Sequence, residues 1–491
     1  MAMAKAKDSK RLTTATALSS MCLILFPLIY VLLSPLDISP LDISRFDHWK
    51  QISNWSGSGG DGASLSGSNI EHERMEDEDY SLKFLLRRLV QGRDRTELDT
   101  TGFTCKSDLV TDICVANQLV RLDTHWHRTR SLMVYLSSNN STQPRTVRPY
   151  ARKNDAAAMK LVRPVEIQTL TLHTATATAT AIEGQKQQLL ACDVTHDVPA
   201  VVFSSGGYTR NLFHDFNDII LPLFITCRQF QSRLKFIVTD YKPLWVKKYH
   251  QILSHLSDYE IINPVRDQRI HCFPAAVIGL NYHDNLACNA KDLPFGYSTM
   301  DFKRFLHDAF NLKFISLDII QNQKPLLILF SRQKSRRFLN EDEMVKVADE
   351  LGFRVIVALP NRTSNIAEFA KEVNSCSVMV GAHGAGLTNA VFLPAGAVLV
   401  QVVPLGLEWL SNTYYGKTFT PIGVRYLGYR IRPEESSLLD VYGSDHPVIT
   451  DPQSLYRKGY SVARAVYLDE QDLKPTPLRF RETLEEALRL L

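Results

Sequence analysis

Three stretches of this chain combine glycines with polar or charged side chains. In the first, Gly381 to Asn389, the residues Gly381, His383, Gly384, Ala385, Gly386 and Asn389 lie directly after an apolar β-branched run and directly before a helical pattern. Glycines there let a backbone approach a ligand closely, and the free N–H groups of a starting helix favour an anion such as a pyrophosphate. His383 can hydrogen-bond a phosphate or a sugar hydroxyl. The structural alternative is a tight turn whose small residues only permit close packing. The stretch lacks the Gly-Lys-Ser/Thr ending of a P-loop, which disfavours NTP hydrolysis.

The second stretch, Ser331 to Arg337, sets Arg332, Lys334, Arg336 and Arg337 after another apolar run. Guanidinium groups at the C-terminal edge of a strand suit a diphosphate, and Arg332 and Arg337 are taken as donor-binding residues. The alternative is a solvated basic loop, and at least one of the four fits that description. In the third stretch Gly206 and Gly207 permit a turn, after which Asn211, His214, Asp215 and Asp218 follow at helical spacing, with Asn211, His214 and Asp218 on one face. A neutral histidine beside a carboxylate is a candidate general base toward an acceptor hydroxyl, with Gly207 and Asn211 on the acceptor side. Equally, His214 and Asp218 form a structural pair while Leu212, Phe213, Phe216 and Ile219 pack a core. No metal site is expected: the one Asp-x-Asp, Asp77 to Asp79, falls in an acidic run that reads as solvated charge.

These stretches need rigid elements behind them. Short apolar runs alternate with amphipathic segments from residue 200 onward, the pattern of parallel sheets with crossover helices. Strands are expected at 200–203, 236–239, 326–330, 354–358, 377–381 and 397–402, with helices at 211–228, 341–351, 365–374, 384–392 and 481–491. Two successive doubly wound domains meeting across a cleft account for this order. Residues 101–320 are expected to form the N-terminal Rossmann-like domain and 321–491 the C-terminal one, the sides that the resemblance given below assigns to acceptor and to nucleotide sugar. The section from about 103 to 195 is hard to read, and 169–182, rich in alternating Thr and Ala, is either a strand or low-complexity sequence.

The chain has 491 residues, 45% of them apolar, enough for two cores, and its net charge of +4 offers no global argument for nucleic acid. Residues 12–36 are uncharged and long enough to cross a bilayer, and Lys5, Lys7, Lys10 and Arg11 before them keep residues 1–11 cytosolic. A single membrane anchor is expected, then a flexible stem over 37–100, rich in Gly, Ser and acidic residues. The rest would be lumenal, making Asn54, Asn139, Asn140 and Asn361 eligible for glycosylation and letting Cys105 and Cys114 bridge a small loop. Trp409 and Tyr414, with Glu408, are aromatic and acidic candidates for a cleft wall or for core.

Taken together, the segment 199–218, Ser331 and Arg332 with 338–343, and the segment 381–394 resemble glycosyltransferase family 61, particularly its plant branch acting on xylan. The resemblance covers about 100–490. It implies an α/β chain of GT-B fold and type II Golgi topology. It also implies inverting transfer of a pentose, arabinofuranose or xylose, from a UDP-sugar onto xylan, with no cofactor beyond the donor and metal dependence left open. His214, Asp218 and Asp215 are the catalytic candidates, while the diphosphate falls on Arg332 and the 381–389 turn. Arg210 stands where many relatives are expected to carry glycine, which puts acceptor choice in doubt. The rival reading is a noncatalytic glycan- or nucleotide-binding partner of a Golgi complex; homo- or hetero-oligomers fit either.

Overall fold

The computed structural model of the protein describes residues 81–125, 131–138, 143–171, 191–319, 324–416 and 418–491. The expected anchor at 12–36, the stem over 37–80 with Asn54, and Asn139, Asn140 and all of 172–182 lie outside the described residues. Contacts divide the chain into two units, 1–71 and 72–491, and every described residue belongs to the second. Among them no helix is long and apolar enough to cross a membrane.

The stem expectation fails at its end. Residues 81–88 are helical, and Gly92–Thr101 forms a second helix. Leu82, Leu85, Leu86, Leu89 and Val90 recur at the spacing of one helix face, and Leu86, Leu89, Val90 and Leu98 are buried in the main core. The acidic run before them masks an amphipathic pattern that the core holds in place.

The N-terminal half departs from a doubly wound domain. Its first sheet runs in the order β1 (Phe103–Ser107), β2 (Asp112–Ala116), β11 (Ala276–Ile278), β8 (Ala200–Ser204), β9 (Lys235–Thr239), with β11, β8 and β9 parallel and β1 and β2 antiparallel. Alternation along β8 sends Val201 and Phe203 into a core shared with helices, whereas Ala200 and Val202 face the other way. There they meet a second, six-stranded mixed sheet in which Leu122, Val134, Leu136, Val165 and Ile167 supply the apolar face. A sheet therefore covers the side where crossover helices were expected. Its strand β6 (Val165–Thr171) takes up the start of the Thr/Ala segment.

The C-terminal half is a five-stranded parallel sheet, ordered β13 (Arg354–Ala358), β12 (Leu326–Phe330), β14 (Val378–Ala382), β15 (Val398–Val403), β16 (Arg425–Arg430). Leu326 and Ile328 pack to one side, with the Ile366–Asn374 helix. Leu327 and Leu329 pack to the other, with the helices Glu341–Glu350 and Pro477–Leu490. The strand order reverses between β12 and β14, so their C-terminal ends open the crevice in which such sheets bind ligands. The Thr299–Phe310 helix, started by a Ser298/Asp301 capping box, contributes Phe302, Phe305 and Phe310 to a core that runs without a break across residue 320.

Among the described residues two disulfides cross-link the chain, Cys105–Cys114 as expected and Cys192–Cys272 at a sequence separation of 80. Cys227, Cys288 and Cys376 are free and buried.

Candidate active site

The acceptor-side segment leaves β8 at Ser204. Gly207 follows at φ +55°, and a Cβ there would lie 2.4 Å from Cζ of Tyr150, so only glycine lets that ring pass over the turn. Exposed Arg210 has φ +86°, a conformation that glycine adopts freely and a side chain does not. Asn211 then caps the helix, its Oδ1 accepting the Phe213 N–H at 3.0 Å. That helix runs Leu212–His214, widens to a π-helical stretch at Asp215–Ile220, and continues as Leu221–Cys227.

His214 and Asp218 come together: His214 Nδ1 lies 2.9 Å from Asp218 Oδ2, with the imidazole 16% exposed and the carboxylate fully buried. Three further groups donate to Asp218. Tyr150 reaches it with its hydroxyl at 2.8 Å, Asn217 with Nδ2 at 2.8 Å and Arg152 with a guanidinium nitrogen at 3.3 Å. A carboxylate surrounded by four donors accepts from all of them only when ionised. It therefore takes the proton on Nδ1 as a hydrogen bond and leaves Nε2 of His214 as the basic atom. Burial and the Asp218 charge push the Tyr150 hydroxyl far up, so it stays a donor. Tyr208 packs on His214 with ring centroids 4.9 Å apart and bonds Asp155, which also holds Arg152.

Asp215 points elsewhere. Trp245 Nε1 and the Tyr249 hydroxyl donate to its two oxygens at 2.9 and 2.8 Å, and the Arg210 N–H adds a third bond at 3.2 Å. Burial raises its pKa, and its oxygens are spent on the fold rather than offered to a substrate. Asn211 is likewise turned to its own helix start and does not join His214 and Asp218.

On the donor side, β12 ends at Phe330 and β14 at Ala382, the two lips of the crevice. Arg332 donates to the Ser335 carbonyl at 2.8 Å and Arg336 to the His383 carbonyl at 2.7 Å. Gly384 has φ +151°, and a Cβ on it would come within 2.6 Å of Nη1 of Arg332 and 3.2 Å of Nη1 of Arg336. Both guanidinium groups thus close on one glycine. Arg336 is 9% exposed and its Nε is buried without a partner. Burial first, then the Arg332 charge, push its pKa down to about 9, and burial lowers that of Arg332 too. Neither forms an ion pair among the described residues; the Asp469 charge acts on Arg336 more weakly than burial and Arg332 do, so the buried Arg336 and the half-buried Arg332 share a space with little compensation. From Gly384 the chain enters a tight 3₁₀ stretch, Ala385–Phe392, rather than the expected α-helix.

His383 is 6% exposed and neutral: burial, then Arg336 and Arg332, hold its pKa down at about 3. Its Nδ1 accepts from Gln401 Nε2 at 2.8 Å, and Gln401 Oε1 accepts the Tyr426 hydroxyl at 2.9 Å. This chain selects the tautomer with the proton on Nε2, a donor for a ligand oxygen. Two adjacent tyrosines tie the halves together. Tyr414 packs against Phe213, centroids 4.9 Å apart, while the Tyr415 hydroxyl donates to the Gly384 carbonyl at 3.1 Å. The neighbour of the candidate base and the glycine under the two arginines are thus joined by consecutive residues.

Known proteins can be set beside this geometry. The family profile described as Glycosyltransferase 61 matches residues 212–400. A xylan glycosyltransferase of Arabidopsis thaliana is 33% identical over 441 residues, which are 86% of this chain and 82% of that protein. The chain belongs to glycosyltransferase family 61. A rice (Oryza sativa subsp. japonica) α-1,3-arabinosyltransferase is 38% identical over 75% of the chain and 62% of its own length. A rice β-1,2-xylosyltransferase is 38% identical over 70% and 72%. In this glycosyltransferase of family 61 the His214/Asp218 pair and the two arginines over Gly384 are linked through Phe213, Tyr414 and Tyr415.

Several expected site residues have other work. Arg337 is 49% exposed and pairs with Asp472, its Nε 2.9 Å from Oδ2, while its neighbour Arg336 is the buried one. Asn389 donates to the Gly386 carbonyl at 2.8 Å and closes the turn, and Gly381 lies inside β14 under Leu387 and Phe330. Gly384, Ala385 and Gly386 are the half-exposed residues of that turn, and Asn361 sits exposed in a surface turn. Tyr150, Arg152, Gln401, Tyr415 and Tyr426 were not foreseen. Tyr150 and Arg152 stand 68 and 66 residues from Asp218, beyond the reach of any local spacing rule. Among the described residues no group of three His, Cys, Asp or Glu side chains is placed to hold a metal ion.

Proposed function

We propose that this family 61 glycosyltransferase transfers a pentose from a UDP-sugar onto xylan, with inversion, in the Golgi lumen, in a GT-B arrangement whose C-terminal half holds the donor. The observation that carries this reading is the pairing of the buried Arg336 and the half-buried Arg332 over Gly384 at the strand-order reversal, neither in an ion pair among the described residues, a cradle suited to a diphosphate. The names of the Arabidopsis and rice relatives support xylan as acceptor. Two rice relatives of equal identity carry an arabinosyl and a xylosyl name, so the donor is one of two pentoses.

In the proposed step an acceptor hydroxyl oxygen attacks the anomeric carbon from the side opposite the diphosphate. The anomeric C–O bond breaks, its electron pair leaves with UDP, and the hydroxyl proton passes to Nε2 of His214. Asp218 stabilises the imidazolium that forms, and Arg332 with Arg336 stabilises the charge growing on the leaving group. His383 donates through Nε2 to a phosphate or sugar oxygen.

The test is transfer by the full-length protein from UDP-arabinofuranose and from UDP-xylose to xylo-oligosaccharides, with and without EDTA. Product of inverted configuration from one donor, undiminished by EDTA, is expected. Folded protein whose melting temperature rises with UDP, yet which makes no product from either donor, overturns the xylan reading and favours a noncatalytic partner.

A further inference from the structure

A second recess lies at the open edge of the C-terminal sheet, where β15 ends at Val403 and β16 at Arg430. Its volume is about 240 Å³, and Glu408, Ser411, Asn412, Tyr426 and Arg430 line it. Its origin is legible in β16. Residues 426, 428 and 430 share one face of that edge strand, and the middle one, Gly428, has no side chain. A Cβ there would lie 3.2 Å from the Tyr426 hydroxyl and begin to fill the hollow. The Glu408–Ser411 helix and the Asn412–Gly416 turn form the facing wall.

Three features mark it as a site rather than a packing flaw. Glu408 and Arg430 line the same recess, yet among the described residues neither forms an ion pair. The Ser411 hydroxyl is buried with no hydrogen-bond partner, a cost that a ligand hydroxyl can remove. Trp409, 69% exposed, follows Glu408 in the wall helix and leaves its indole open to solvent next to the lining residues.

We infer that this recess binds a neutral, hydroxyl-rich glycan segment, a second hold on the acceptor polysaccharide away from the reacting sugar. One carboxylate and one guanidinium cancel in charge, which gives a phosphate or uronate no net attraction. Sugar hydroxyls, each donor and acceptor, satisfy both groups together with Ser411 and Asn412, and an indole face stacks on a sugar ring. Hydrogen bonds link the recess to the 381–389 turn, because the Tyr426 hydroxyl in its wall reaches His383 through Gln401. Two holds on one polymer raise its effective concentration at the catalytic centre. The inference rests on the reading of a glycan acceptor.

The experiment compares full-length Trp409→Ala and Glu408→Ala with wild type, on exposed positions outside the catalytic machinery. Binding of xylohexaose, cellohexaose and mannohexaose is read by saturation-transfer NMR, and the KM for xylohexaose and for xylobiose by transfer. At least a fivefold loss of xylohexaose affinity and a matching rise in its KM are expected, with xylobiose KM and UDP affinity unchanged. Unaltered binding of all three hexaoses in both variants overturns the inference, and so does loss of UDP affinity in Glu408→Ala, which places the nucleotide there. Absence of wild-type transfer to any xylo-oligosaccharide counts against the proposed reaction, while the binding arm still decides the recess.

Discussion

At the scale of single residues, the two halves of the site divide chemistry from binding, and substitutions should separate them. His214→Ala removes the one basic nitrogen that Asp218 leaves free, and transfer should fall by roughly 10²–10⁴ while UDP still raises the melting temperature. Arg336→Lys is the complementary change. Its Nη1 bonds the His383 carbonyl and lies over Gly384 while Nε is buried without a partner, and an ammonium does not reproduce that planar set of donors. Charge-assisted bonds of about 1.5–3 kcal/mol are at stake, so UDP affinity measured by calorimetry should drop by roughly 10- to 100-fold with folding intact. Equal loss of UDP binding in His214→Ala would mean that this histidine serves the donor instead.

At the scale of an element, the turn between β8 and the Leu212–His214 helix holds two residues with positive φ and opposite tolerance for change. Gly207 lies under Tyr150, the ring that donates to Asp218. Gly207→Ala must move that ring, and a loss of about 1–3 kcal/mol in stability is expected together with reduced turnover. Arg210 is exposed and carries a side chain where φ is +86°, so Arg210→Gly relieves strain of about 1 kcal/mol and should raise the melting temperature. Thermal denaturation of both variants checks the two signs. A stabilising Gly207→Ala or a destabilising Arg210→Gly would contradict the turn geometry. The expected glycine at this position of relatives thus has a backbone reason, and the arginine here is tolerated because it faces solvent.

At the scale of the whole molecule, two histidines, buried His383 and half-buried His196, tie stability to pH. His383 is held down at about 3 by burial and then by Arg336 and Arg332. His196 is held at about 4 by burial and then by Lys235 and His271. Both folded values lie below the ordinary 6.5, so between them the unfolded chain binds more protons than the folded one. Their contribution is complete above about pH 6.5 and is lost as pH falls toward 3–4. The melting temperature should decline through that window, and His383→Gln, which cannot take up a proton, should flatten part of the slope. An unchanged slope in that variant would show that His383 is not held neutral by its surroundings.

Local sequence determined what depends on near neighbours. The strands at 200–204, 326–330, 354–358 and 398–403, the His214/Asp218 spacing and the glycine turn under Arg332 all follow from periodicity, turn residues and family motifs read along the chain. The same kind of signal was present but overlooked at 82–90, where an acidic neighbour obscured an amphipathic face. Only the tertiary structure decided which arginine is the buried one, because Arg336 and Arg337 are adjacent and differ solely in whether Asp472, 135 residues from Arg337, is within reach. It also decided that Asp215 belongs to Trp245 and Tyr249, that Tyr150 and Arg152 complete the Asp218 cluster, and that a second sheet covers the N-terminal one. Each of these is a contact between segments far apart in the chain, set by how buried faces stack. Local spacing does not encode such contacts, since many distant partners satisfy the same apolar pattern.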